Sequence, residues 1–243
     1  MSATEKSTTY AARADYQHNA QYLASKALSD WSLIEGVVRG DVLNVGCAEP
    51  IDELQWADQA DSWLAMDANQ AIIDMASMRF CQHASAELAR KVRFAKHSVT
   101  AAWQANPLGT QQFDLVLSFS TVEHIPDRYD RQLALARLYR WTKEYGYCAI
   151  TVPNRWNWRY RRLSTEGQKA GTMDFVYEYL YSPLELKRDL ERVGFHIERF
   201  RSDYRLTPWN GAYGYGLPDG WSQKWAEFKM LFGPRMGYLC RRT

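Results

Sequence analysis

The chain predicts a three-layer α/β domain built on a mostly parallel sheet, and three observations carry that expectation. Short apolar runs rich in Val, Ile, Leu and Phe alternate with segments of helical period, as in successive βαβ units. The first run passes through a glycine turn, VLNVGCAEPIDEL, into a helix start. No internal repeat or linker divides the 243 residues, a length within reach of one large α/β unit.

Strands are expected over residues 41–46, 62–67, 91–95, 113–119 and 146–152. Between them, residues 69–78 place Ile72, Ile73 and Ala76 on one face, and residues 128–143 place Leu135, Leu138, Tyr139 and Thr142 on another; both read as crossover helices. The stretch SPLELKRDLERVGF has the strongest helix start in the chain. Ser182 caps it, Pro183 suits the first helical position, Glu185 closes a capping box, and Gly194 ends it. Residues 195–201 and 235–241 supply two more strands, separated by the Gly- and Tyr-rich WNGAYGYGLPDGW and an amphipathic helix near 221–231. Residues 1–40 form an N-terminal helical segment that brings Tyr10, Tyr16 or His18 over the ligand site, and residues 154–181 and 203–232 are the candidate caps of a substrate pocket.

Composition narrows the function classes. A hydrophobic fraction of 46%, with 14% aromatic and 24% charged residues, supplies a core and excludes wholesale disorder. Thirty basic against 28 acidic residues leave a formal charge of +2, too balanced for a dedicated nucleic-acid binder. The N-terminal stretch has no apolar h-region and no run of about 18 apolar residues occurs, so the expected location is cytoplasmic. Cys47, Cys81, Cys148 and Cys240 form no CxxC pair, and His83, His97 and His196 show no helical ligand spacing; reduced thiols and no metal are expected. In the insertion, Trp156, Trp158 and Tyr160 interleave with Arg155, Arg159, Arg161 and Arg162, so residues 155–163 suit a substrate cap, peripheral membrane contact, or a solvated basic face with buried tryptophans. Tyr177, Tyr179 and Tyr181 alternate as a strand would.

The chemistry concentrates where strands end. In open α/β sheets ligands bind beyond the carboxyl ends of the strands at the topological switch point, and the Gly46 turn borders it. Asp67, about 20 residues on at the end of the second strand, suits the two hydroxyls of a ribose. Dinucleotide enzymes share this layout but use further glycines to admit a pyrophosphate. Ala48 and Pro50 stand in those places here, adding bulk and removing an N–H, so a cofactor without phosphate fits better.

With those residues in place, the segment FDLVLSFSTVEHIPD, Phe113 to Asp127, resembles the fourth strand and following turn of the class I S-adenosylmethionine-dependent methyltransferases of the small-molecule type. This group includes the methyltransferase type 11 and ubiquinone-biosynthesis O-methyltransferase-like proteins. GYCAITVPN is similar to the family's next strand, and SPLELKRDLERVGFHIERF to its late helix and strand; the likeness runs from about Val42 to Phe200.

The resemblance implies a Rossmann-like three-layer sandwich of about seven strands, S-adenosyl-L-methionine as cofactor with S-adenosyl-L-homocysteine as product, and a small-molecule acceptor. It places Asn44, Gly46, Cys47, Ala48, Asp67, Ala68, Ser98, Val99, Phe119 and Glu123 at the cofactor. His124 becomes the candidate base, the alternative being that Glu123 and His124 only hold the loop through backbone hydrogen bonds. O-methylation of a metabolite, glycan or lipid-like acceptor is the expected activity. Asn44, Ala48, Pro50 and Ser98 depart from the common pattern at cofactor positions, which keeps a non-catalytic binding or regulatory protein as the rival; an N- or C-methyltransferase is another, and a nucleotide-dependent oxidoreductase a third.

Overall fold

In the computed structural model, residues 26–101, 108–157, 160, 166–168, 177–203 and 231–243 are described, with backbone alone for 166–168 and 177. The first described element is a π-turn, Ala27–Trp31, continued by a helical turn, α1 (Ser32–Ile34). Strand β1 (Asp41–Val45) leads to α2 (Ile51–Trp56), β2 (Ser62–Asp67) to α3 (Gln70–His83) and α4 (Ala86–Lys91), and β3 (Val92–Lys96) to β4 (Phe113–Phe119). A 3₁₀ turn (Val122–His124), α5 (Arg128–Trp141) and β5 (Thr142–Pro153) follow. Next come a hairpin of β6 (Glu166–Gln168) and β7 (Tyr177–Tyr179), then α6 (Pro183–Arg192), β8 (Phe195–Ser202) and β9 (Arg235–Arg242).

Seven strands form one sheet in the order β3-β2-β1-β4-β5-β9-β8. All neighbours pair in parallel except β9, which runs antiparallel between β5 and β8. The chain therefore steps outward from β1 to β3, returns to β4 beside β1, and leaves a switch point between β1 and β4.

Alternation along each strand sends side chains to two cores, one per face. Leu43, Val45, Leu64, Met66, Val116, Ile150 and Tyr238 pack with Leu135, Leu138 and Trp141 of α5 and with Leu186 and Leu190 of α6. Val42, Trp63, Ala65, Leu115, Leu117 and Leu239 pack with Leu33, Ile34, Ile73 and Phe80 on the other face. The result is the three-layer sandwich that the apolar runs imply.

The expected elements differ from the observed ones mainly at their ends. Helix α3 runs on to His83, and a separate helix, α4, begins at Ser85, whose hydroxyl accepts from Leu88 N at 3.1 Å. The capping box at Ser182 is present, with Pro183 opening α6. Helix α5 stops at Trp141 rather than residue 143 because Thr142 already pairs with Phe113; the register then shifts, and pairing resumes at Tyr147 opposite Leu115. The intervening residues include Tyr145 at φ 61, and Lys143 bridges Asp41 and Asp114 at 3.1 and 2.8 Å. Cys148 and Cys240, distant in sequence, stand opposite one another across β5 and β9 as buried thiols.

Among the described residues, no helix is long and apolar enough to cross a membrane. Tyr10, Tyr16 and His18, most of the basic insertion with Trp158, Arg159, Arg161 and Arg162, and the glycine-rich stretch with the helix near 221–231 lie outside the described residues.

Candidate functional site

The carboxyl ends of β1 and β4 meet at the switch point through one side chain. Thr121 Oγ1 lies 3.0 Å from Val45 O and 3.2 Å from Phe119 O, so its hydroxyl joins the two strand ends. Gly46 makes that approach possible: its φ is +74°, and a Cβ built there would stand 2.2 Å from Thr121 Oγ1. The turn then bonds to the neighbouring strand, with Gly46 N and Cys47 N donating to Met66 O at 2.7 and 3.0 Å. Ala48 follows at φ 48, left-handed backbone that a glycine would take without strain. Pro50 immediately precedes α2 as its cap residue.

Asp67 ends β2 against this turn. Its Oδ1 accepts from Asn69 N at 2.9 Å, and its backbone carbonyl accepts from His97 N at 2.8 Å. Burial pushes its carboxyl upward, opposed by the backbone N–H groups of Asn69, Ala48 and Ala68 and by the charge of His124. The end of β2, the Gly46–Ala48 turn and the Glu-His turn thus converge on one edge of the sheet. At the end of β3, Ser98 Oγ lies 3.0 Å from Thr100 Oγ1 and accepts from Thr100 N at 3.2 Å, shaping the loop that carries buried Val99. Phe119 closes the end of β4, with the Lys26 ammonium 5.3 Å from its ring centre.

Two expected cofactor positions have interior surroundings. The Asn44 side chain is buried and donates to Glu53 Oε1 at 2.7 Å, an oxygen that also accepts from Trp63 Nε1 at 3.0 Å. Burial raises the Glu53 carboxyl. Asn44 therefore tethers β1 to α2, a neutral donor where a carboxylate would face another carboxyl. The Cys47 thiol is also buried, which pushes its pKa up and leaves it uncharged.

The 3₁₀ turn after β4 presents Glu123 and His124 from consecutive positions. Glu123 is 1% exposed, burial pushes its carboxyl up to about 7, and among the described residues its Oε2 has no hydrogen-bond partner. The charges of His124 and Arg235 oppose that rise and Glu178 of β7 adds to it. The turn is held by His124 N to Thr121 O at 3.1 Å and by Ile125 N to Val122 O at 3.2 Å. Hairpin strand β7 packs on it and takes in Tyr177 and Tyr179 of the expected alternation, while Tyr181 lies beyond it in a single bridge to Asn154, its ring edge to face with that of Tyr179 at 4.8 Å.

Sequence reasoning missed a buried charge network beside the ends of β4 and β5. Lys26 Nζ bonds Asp52 Oδ2 at 3.0 Å and Asp30 Oδ2 at 3.3 Å, and Trp31 Nε1 donates to Asp52 Oδ1 at 2.8 Å. Arg235, at the start of β9, reaches Asp30 Oδ2 at 3.0 Å and Ser120 Oγ at 2.7 Å. After β5, the Asn154 side chain donates to Leu231 O and Gly233 O at 2.7 and 2.8 Å, and Asn157 to Phe232 O at 2.7 Å, fastening the chain before β9 to the sheet edge. Only Lys26 and Asp30, four positions apart, are close in sequence; Asp52, Ser120 and Arg235 come from other elements, so no short motif marks the network. Among the described residues, no group of three His, Cys, Asp or Glu is placed to hold a metal ion.

Residues 16–199 match the family of methyltransferase domains. The chain belongs to that family. The methyltransferase fold also appears in solved structures. The DhpI complex with SAM and HEP has a TM-score of 0.64 at 16% identity, over 99% of this chain and 99% of that one. An S-adenosylmethionine-dependent methyltransferase from Clostridium acetobutylicum has a TM-score of 0.62 at 13% identity, over 99% of each chain. The N-methyltransferase NodS from Bradyrhizobium japonicum, in complex with S-adenosylhomocysteine, has a TM-score of 0.54 at 12% identity, over 98% of this chain and 86% of that one. At such identities the likeness concerns the fold. No curated protein matches the methyltransferase chain.

Proposed function

We propose that this methyltransferase binds S-adenosyl-L-methionine at the carboxyl edge of β1–β4 and transfers its methyl group to a hydroxyl of a small-molecule acceptor. The observation that carries this reading is the convergence of the Gly46–Ala48 turn, the Asp67 carboxyl and the Glu123–His124 turn on one edge at the switch point. DhpI and NodS, which share the fold, are complexes with the methyl donor or its product.

The donor set fits such a cofactor. Asp67 offers acceptor oxygens for ribose hydroxyls; Gly46, Cys47, Ala48 and Ala68 supply a turn for the methionine end; Ser98 and Val99 flank the adenine; Phe119 and Glu123 complete the wall, and Asn44 supports the turn through Glu53. A bound sulfonium brings an already activated methyl, so the chain's own residues chiefly align the acceptor. His124 takes the hydroxyl proton as base, and buried Glu123 beside it supplies a carboxyl whose charge state orients that imidazole. Residues 154–181 and 203–232 are the segments assigned to cover the acceptor, and within them β7 packs on the Glu123–His124 turn.

Titration calorimetry with S-adenosylmethionine, S-adenosylhomocysteine and NAD tests the reading. Saturable binding of the first two and none of NAD is expected. Binding of NAD alone points to an oxidoreductase, and binding of none points to a fold retained without the activity.

A further inference from the structure

Helix α5 carries two arginines that turn inward instead of to solvent. Arg131 is 3% exposed and Arg137 5%. Among the described residues, no carboxylate lies within ion-pair distance of either one. Each guanidinium instead grips two backbone carbonyls of one loop. Arg137 donates to Val99 O and Ala101 O in the loop after β3, while Arg131 donates to Ile125 O at 2.8 Å and Pro126 O at 2.7 Å in the turn after β4. The Arg131 guanidinium also lies 3.9 Å from the centre of the Tyr179 ring, which ties the β7 hairpin to the same turn.

A guanidinium removed from water without a counter-ion contributes poorly to stability, and an apolar side chain of similar volume packs a helix as well or better. What arginine adds is reach and a rigid fork that fixes two acceptors at once. Around Arg137, burial lowers the guanidinium's pKa, and the charge of Asp130, on the same helix but beyond ion-pair distance, opposes that shift. The His97 ring packs 6.1 Å from that of Trp141, and burial together with the Arg137 charge pushes its pKa down. The two gripped loops follow β3 and β4, the strands on either side of β2 and β1, one loop carrying Ser98 and Val99, the other joined to Glu123 and His124. A single helix, α5, therefore contacts both.

We propose that Arg137 and Arg131 are positioning residues, and that α5 is a spacer whose two forks hold the adenine-side loop and the methyl-side turn at the separation the methyl donor requires. This rests on the proposed binding of that donor, but the clamp itself is measurable without ligand.

Hydrogen exchange of the free protein and calorimetry with S-adenosylhomocysteine, on wild type, Arg137→Met, Arg137→Lys and Arg131→Met, test it. In Arg137→Met the amides of Thr100 and Ala101 exchange at least about tenfold faster, the melting temperature is retained, and the dissociation constant rises at least about tenfold. Arg137→Lys, which keeps the charge but not the fork, recovers part of the affinity. Arg131→Met speeds exchange at His124 and Ile125 and leaves the amides of Thr100 and Ala101 protected. Wild-type exchange at Thr100 and Ala101 in folded Arg137→Met overturns the proposal, as does faster exchange with unchanged affinity. Should Arg137→Met not fold, wild-type exchange and affinity in Arg137→Lys overturn it. A wild type that ignores S-adenosylhomocysteine while the loop amides of the variants still speed up removes the functional reading and leaves the clamp.

Discussion

At the residue scale, Glu123 and His124 sit side by side but in different surroundings. The Glu123 carboxyl is buried and titrates at about 7, against an ordinary 4.5. Folding therefore favours its protonated form: the contribution to stability is complete below pH 4.5 and is lost as the pH rises through 7. Glu123→Gln, which cannot ionise, should match wild type near pH 4 and exceed it near pH 8 by up to ~3 kcal/mol, read from urea midpoints at the two values. A variant less stable than wild type near pH 8 contradicts the burial argument. His124→Ala is expected to bind S-adenosylhomocysteine as wild type does while methyl transfer slows by roughly 10²-fold or more; unchanged turnover returns His124 to holding the loop. In the sequence, the Glu-His pair was visible as part of a motif, and its surroundings were not. Strand β7 packs on the Glu123 turn, and the charges of Glu178 and Arg235 that act on its carboxyl lie far along the chain.

The element that does most at the next scale is the turn between β1 and α2. Gly46→Ala forces a Cβ into left-handed backbone and against Thr121, so it should cost about 2–4 kcal/mol in denaturant unfolding, about half from backbone strain and half from crowding. A loss below about 1 kcal/mol indicates that the β4 turn can withdraw, and with it the close approach of the two strand ends. This turn was legible in sequence because a glycine followed an apolar run; the positive φ of Ala48 was not, since alanine rarely adopts it. Strands β1, β2 and β4 were legible to within a residue for a related reason: a sheet covered on both faces demands near-continuous apolar runs, which they show, whereas β5 begins at Thr142, four residues before the expected start. The end of α5 was misjudged because Thr142 continues the helical pattern, yet pairs with Phe113 and is lost to the sheet. Nothing in the sequence sets Arg131 and Arg137 apart, and only the fold shows that loop carbonyls meet them.

Over the whole molecule, two cores share one sheet, and the antiparallel strand β9 completes it by pairing between β5 and the edge strand β8. That pairing places Cys148 opposite Cys240, with burial pushing both thiols far above the usual range. Native protein should therefore yield one reactive thiol per chain to an aromatic disulfide reagent, at exposed Cys81, and four after denaturation. Rapid loss of a second thiol in native conditions contradicts the placement of β9. The N-terminal residues join the same strand, since Arg235 contacts Asp30 across 205 positions, a pairing that no local pattern foretells. The family and its sheet were legible in the strand-turn-helix succession and the Glu-His motif; the charge network spanning the chain ends was not.

The central claim is that the Asp67 carboxyl at the end of β2 holds the sugar of the methyl donor. Calorimetric titration of S-adenosylhomocysteine into wild type and Asp67→Ala tests it most directly. The account predicts one saturable site in the wild type and, with two charge-assisted hydrogen bonds removed, a dissociation constant raised by roughly 10²-fold or more in the variant. Equal affinity in the two proteins would contradict it.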